Sequence, residues 1–249
     1  MNNFNVIRKA VVDGMTTAFS DMYMFTERID SKVNAEYLLT VNVAKSIVAQ
    51  NKYGPADPYS VEVEKSTKKF TRDCFYPIKF VSGGFKSKNL LLSKKLPRVS
   101  RSGRIDIVVY ENKNNTYIGK QPICAIELKG VNPQRTLVVK DLRRNFELLT
   151  LEANTGKSVL DFTLFASVHA FDNISSDDQI KHNENAILKR YTKWLSEVGK
   201  LSGIEAEIIA KTVSSETLGT VYYEADELAI DTSTCHQFIV VLVTFSPKT

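Results

Sequence analysis

Two carboxylates and a lysine stand in a stretch that otherwise reads as strand. Asp106, Glu127 and Lys129 lie within RIDIVVYENKNNTYIGKQPICAIELKG, from Arg104 to Gly130. Asp106 sits between Ile105 and Ile107, and a lone carboxylate among apolar neighbours is costly to bury without a partner. Side chains alternate along a strand, so Glu127 and Lys129 project from one face while Leu128 goes to the other. Two converging carboxylates hold a hard divalent cation such as Mg²⁺ through oxygen ligands. A lysine beside them orients a water or stabilises charge on a phosphate. Together these groups are the apparatus of metal-assisted phosphodiester hydrolysis.

The elements that position them follow from pattern. Arg104 to Tyr110 is a β-branched run, Glu111 to Thr116 (ENKNNT) is turn chemistry, and Pro122 to Lys129 returns, so a hairpin is the simplest reading. A helix capped by Asp30 or Ser31 is expected to run to about Gln50, with Tyr37, Leu38, Val41, Ala44, Ile47 and Val48 buried. Glu36 falls in its first turn, where the helix dipole favours a carboxylate. A second helix is expected from about Val138 to Leu151, its core stripe Leu142, Phe146 and Leu149. Lys140, Arg143 and Arg144 fall on its other faces, where Asp141 and Glu147 offer surface ion pairs. Asp161 to Phe171 reads as a buried strand beside the hairpin, with His169 a satisfied core residue rather than a ligand.

Asp106 followed by a second strand ending in Glu127-Leu128-Lys129 resembles the D…(D/E)xK signature of the PD-(D/E)xK nuclease superfamily, with Ile105 where the motif's name has Pro. The resemblance spans roughly Asp30 to Ala170 as element order. It implies an α/β fold of the restriction-endonuclease-like kind: a mixed central sheet flanked by helices, in the order helix, strands, hairpin, helix, strand. It also implies a Mg²⁺-dependent deoxyribonuclease, with Mn²⁺ a possible substitute. Asp106, Glu127 and the main-chain carbonyl of Leu128 would ligate the metal, and Lys129 would serve the attacking water. Glu36 would complete the site or serve a second ion, and Lys140 or Arg144 would contact substrate phosphate.

Charge distribution points the same way. The net charge is only +5, yet Lys68, Lys69, Arg72, Lys79, Lys86, Lys88, Lys94, Lys95, Arg98, Arg101 and Arg104 crowd the approach to Asp106, with Asp73 the one acid among them. Such a block, with Arg101 and Arg104 nearest the hairpin, is expected to bind a phosphate backbone, and DNA is the expected partner. A solvated basic loop is the alternative. Hydrophobic content of 43% and charged content of 24% are those of an ordinary globular chain, and no apolar run reaches the ~20 residues of a membrane span. No secretory signal is expected from MNNFNVIRKAVVDGM. Cys74, Cys124 and Cys235 show no ligand spacing and read as reduced thiols, which favours the cytoplasm.

One domain over residues 1–249 is expected, with a core at about 30–170 and a C-terminal extension at about 176–249. Asn2 to Phe25 shows a short helical pattern. Tyr59 to Glu64 and Cys74 to Val81 read as strands, and Ser176 to Val198 as a long surface helix. IEAEIIAKTV, GTVYYEA and HQFIVVLVTF read as C-terminal strands, extending the sheet or forming a homodimer interface. Phosphate-loop, dinucleotide, nucleophile-elbow and zinc motifs are missing, and Gly156-Lys157-Ser158 is a chance match. Two readings compete with a nuclease: a non-catalytic nucleic-acid-binding module on the same fold, and a purely structural Glu127–Lys129 ion pair.

Overall fold

The computed structural model describes residues 3–26, 36–51, 58–75, 97, 99–112, 120–153, 156–218, 221–225, 227–231, 233 and 235–248. The expected cap at Asp30 or Ser31, the run 76–81 of the expected Cys74–Val81 strand, the hairpin tip at 113–119 and the basic residues between 76 and 96 lie outside them.

Along the chain come α1 (Asn3–Thr26), α2 (Glu36–Val48), β1 (Tyr59–Ser66), α3 (Thr67–Asp73), β2 (Arg104–Asn112), β3 (Lys120–Val131) and α4 (Arg135–Thr150). There follow β4 (Glu152–Ala153), β5 (Gly156–Lys157), β6 (Phe162–Ile174), α5 (Asp177–Ser196), β7 (Ile204–Leu218), β8 (Val221–Glu224), β9 (Glu227–Ile230) and β10 (Cys235–Pro247). Six strands form one mixed sheet in the order β1-β2-β3-β6-β10-β7. All neighbours are antiparallel except β3 and β6. A parallel pair cannot be joined by a tight turn, and α4 is the crossover that joins this one.

Helices cover both faces. Ile107, Val109, Ile126, Leu128, Leu164 and Val240 meet Ile7, Val11, Met15, Leu39, Val43 and Ile47 of α1 and α2. On the opposite face Val108, Ala125, Phe165, Val241 and Val243 meet Phe70 of α3, Val138 and Leu142 of α4, and Ile187 and Tyr191 of α5. Gly14 is where α1 comes closest to α2: a Cβ built there would lie 2.6 Å from the Val43 Cα and 2.9 Å from the Asn42 carbonyl. Pro122, which has no N–H for a ladder, sits where the β2–β3 register slips between Val109 and Tyr110.

The C-terminal strands extend the sheet, but not in sequence order. β10 inserts between β6 and β7 because it is apolar on both faces, buried from His236 to Phe245, whereas β7 alternates and takes the edge. The short ladder β8–β9 is separate. No helix among the described residues is long and apolar enough to cross a membrane. Cys74, Cys124 and Cys235 are free thiols.

Candidate active site

The site is made where β2 and β3 part. Their backbone register ends at Ile107–Ile126. Two residues further along β3, the Leu128 N–H is taken by the Asp106 carboxylate, Oδ2 at 2.6 Å, rather than by a β2 carbonyl. Opposite Asp106, Glu64 of β1 has φ +52, so the sheet is irregular on that side as well. Strand alternation then sends Leu128 into the α1–α2 core and Glu127 and Lys129 toward α4.

Glu127 is 1% exposed and Lys129 8%. The Arg144 guanidinium of α4 pairs with Glu127 Oε2, while Glu127 Oε1 is buried without a hydrogen-bond partner. Lys129 Nζ donates to Glu36 Oε1 at 2.6 Å and to its neighbour's carbonyl, Leu128, at 2.9 Å. It also stands 3.6 Å from Asp141 Oδ2. Asp141, fully buried, in turn pairs with Arg101 and lies 3.5 Å from the Arg144 guanidinium. Charged groups from β3, α2, α4 and the loop before β2 therefore converge on the end of the β2–β3 pair.

Burial dominates the electrostatics. It pushes the Glu127 carboxyl up to about 8; nearby Asp106 adds to the rise and Arg144 opposes it. Asp106 is raised as well, by burial first and by the Glu36 charge, against the Leu128 N–H and the charges of Lys129 and Arg144. Both carboxylates would thus gain from a further positive charge, and Glu127 keeps one oxygen unpartnered. Two carboxylates and a main-chain carbonyl form an all-oxygen donor set that fits Mg²⁺ or Mn²⁺. Among the described residues, no group of three or more His, Cys, Asp or Glu side chains is placed to hold a metal ion.

Of the residues singled out in the sequence, the structure gathers Asp106, Glu127, Leu128, Lys129 and Glu36. Glu36 is the first residue of α2 and reaches the site through Lys129. Arg144 corrects the expectation of a surface cation that meets substrate: it is 2% exposed and is spent on Glu127, Asp141 and the Arg104 carbonyl, which it reaches at 2.9 Å. The physical reason is that α4 packs against the sheet on one side and is flanked by α5 and by the segment leading into β2. Its buried set is accordingly wider than the stripe expected for a surface helix, with Asp141, Arg144, Asn145 and Leu148 inside and Phe146 only half-buried. Lys140 stays exposed, and Arg104 points its side chain toward Glu64 at 3.7 Å.

Asp141 is the buried charge that the pattern of α4 does not announce; its i,i+3 spacing to Arg144 is the one local signal of the pair. His169 is a core residue as expected. Its Nε2 meets the Tyr191 hydroxyl at 3.0 Å and its Nδ1 meets Asn132 Oδ1 at 3.2 Å, and burial lowers it to about 4. Gly156-Lys157 forms part of a two-residue ladder, not a phosphate loop. No protein-family model, curated protein or solved structure matches the chain.

Proposed function

We propose that this protein is a Mg²⁺-dependent nuclease acting on DNA, with Asp106, Glu127 and Lys129 as its catalytic residues. One observation carries the reading: two carboxylates of raised pKa and a buried lysine meet where the β2–β3 ladder opens, and Glu127 keeps an oxygen without a hydrogen-bond partner. The element order supports it. Helix α2, strands β1, β2 and β3, crossover α4 and parallel β6 follow the restriction-endonuclease-like succession that the motif implies.

Asp106, Glu127 and the Leu128 carbonyl would hold Mg²⁺, which supplies Lewis-acid charge neutralisation and a water of lowered pKa. Asp106 also fixes the β3 backbone through the Leu128 N–H, which keeps Glu127 and Lys129 in register with it. Lys129, oriented by Glu36 and the Leu128 carbonyl, donates to the attacking water and to the phosphate oxygen that gains charge in the transition state. The water oxygen bonds to phosphorus as the bond to the leaving oxygen breaks, and the water proton passes to solvent. Arg144 holds the Glu127 carboxylate through Oε2, which leaves Oε1 as the oxygen that would take the metal.

A non-catalytic nucleic-acid-binding module is favoured by a different observation: Glu127 and Lys129 each already have an internal ionic partner. The two readings part on substrate. Parent protein is incubated with supercoiled plasmid, single-stranded DNA and RNA, in Mg²⁺, Mn²⁺ or EDTA. The nuclease reading expects divalent-dependent cleavage of at least one DNA. DNA binding without cleavage in any condition supports the module instead.

A further inference from the structure

Beside the motif, the loop before β2 lies along α4 and is held at three places. Ser100 donates to Glu147 Oε2 from both its N–H (2.7 Å) and its hydroxyl (2.9 Å). Arg101 pairs with Asp141, and the Arg104 carbonyl accepts from Arg144. Asp141, Arg144 and Glu147 are three residues apart along one stripe of α4, which is the spacing that puts helical side chains on one face. One face of the helix thus fixes the path of the loop.

The consequence is a cleft of about 430 Å³ lined by Ser100, Arg101, Ser102, Lys140 and Arg143. Three cations and two serines line it, with no carboxylate among them. Nearby acids are already engaged: Asp141 beneath by Arg101, Arg144 and Lys129, Glu147 by Ser100, and Glu197 by Arg135 at 2.6 Å. Arg143 is steadied by the Glu197 carbonyl at 3.1 Å, and Lys140 is exposed. The Arg143 guanidinium, the Lys140 ammonium and the part of Arg101 not turned to Asp141, gathered around a polar cleft, are the chemistry that recognises a phosphate oxygen. Asp141 joins Arg101 of this cleft to Lys129 of the motif, so the cleft and the motif share one buried carboxylate.

We propose that this cleft binds a backbone phosphodiester of the DNA strand, next to the one at the motif, with Arg101, Lys140 and Arg143 as its contacts. The proposal rests on the nuclease reading for its substrate class. Unlike that reading, it requires no metal and no turnover.

The test is binding of a fluorescein-labelled DNA duplex and single strand by the full chain in EDTA, across a salt series. Parent, Lys140→Gln/Arg143→Gln and a charge-matched control on α5, Lys189→Gln/Lys193→Gln, are compared. All four positions are exposed, so folding is preserved. The cleft variant should bind at least about tenfold more weakly at moderate salt, and its log–log salt slope should fall by about two, one for each cation that no longer neutralises a phosphate. The control should match the parent. Equal weakening in both variants, unchanged binding by the cleft variant, or no DNA binding by the parent would each overturn the cleft. Asp106→Asn separates the two ideas: cleavage abolished with binding intact keeps both, whereas a parent that never cleaves but shows the slope change loses only the nuclease.

Discussion

Replacing Arg144 by methionine tests whether the buried charges form one network. Methionine keeps most of the aliphatic volume, so the cavity cost is small and the electrostatic cost stands out. Arg144 is 2% exposed, pairs with Glu127 and Asp141, and donates to the Arg104 carbonyl. Removing one partner of a buried ion pair costs about 3–5 kcal/mol because the other charge is left uncompensated. A missing hydrogen bond to a main-chain carbonyl adds about 1 kcal/mol. Against a total stability of roughly 5–15 kcal/mol, Arg144→Met leaves a marginal protein, so urea titrations belong near 15 °C with an unchanged slope as the two-state check.

In Arg144→Met/Glu127→Gln the stranded carboxyl is gone, so at pH 8.5 the double variant should be more stable than Arg144→Met by about 2 kcal/mol. Arg144 opposes the rise in the Glu127 pKa, so its removal raises that pKa further. The cost of Arg144→Met should therefore be smaller at pH 5.5, where Glu127 is protonated, than at pH 8.5. A cost below about 1 kcal/mol at both pH values, or a double variant destabilised by the sum of the singles, would refute a coupled network.

Glu127→Gln reports on the carboxyl itself. Its folded pKa of about 8 lies above the ordinary 4.5, so the folded state binds the proton more tightly. Stability of the parent should fall as pH rises from about 4.5 to about 8, by up to a few kcal/mol at about 1.4 per unit. Glutamine cannot titrate, so the variant should gain on the parent across that window in urea titrations, and parallel profiles would contradict the shift. At pH 8, millimolar Mg²⁺ should raise the thermal midpoint of the parent and not of Glu127→Gln; equal shifts would place the cation elsewhere. Gly14→Ala should destabilise by about 1–3 kcal/mol, because its Cβ would press on Val43 and Asn42 backbone. That outweighs the ~1 kcal/mol that alanine gains in helix propensity, and a higher thermal midpoint would show that α1 and α2 can separate freely.

Strand periodicity made the hairpin, the β6 strand and the placement of Glu127 and Lys129 on one face legible, because alternation is a local rule. The approximate span of α4 was legible for a similar reason, from its helical period. Its buried polar stripe was not: Asp141, Arg144 and Asn145 are inside because of what the sheet, α5 and the Ser100–Arg104 loop bring to them, and a charge on a helix reads by default as solvated. The apolar run of β10 suits an interior strand, but which strands flank it is set by long-range pairing that no local pattern encodes. Helix α3 escaped because its TKKFTRD sequence buries only Thr67, Phe70 and Thr71, too short a stripe to show a period. Glu36 was legible as a first-turn carboxylate, but its contact with Lys129 spans elements far apart in the chain.

Nuclease activity at this site is tested by nicking of supercoiled plasmid in Mg²⁺ by parent, Asp106→Asn, Glu127→Gln and Lys129→Ala, each shown to be folded by circular dichroism. The parent should nick, with activity abolished in EDTA and reduced at least about a hundredfold in each folded variant. Nicking that survives in folded Asp106→Asn or Lys129→Ala, or a folded, DNA-binding parent that nicks nothing, would contradict nuclease activity at this site.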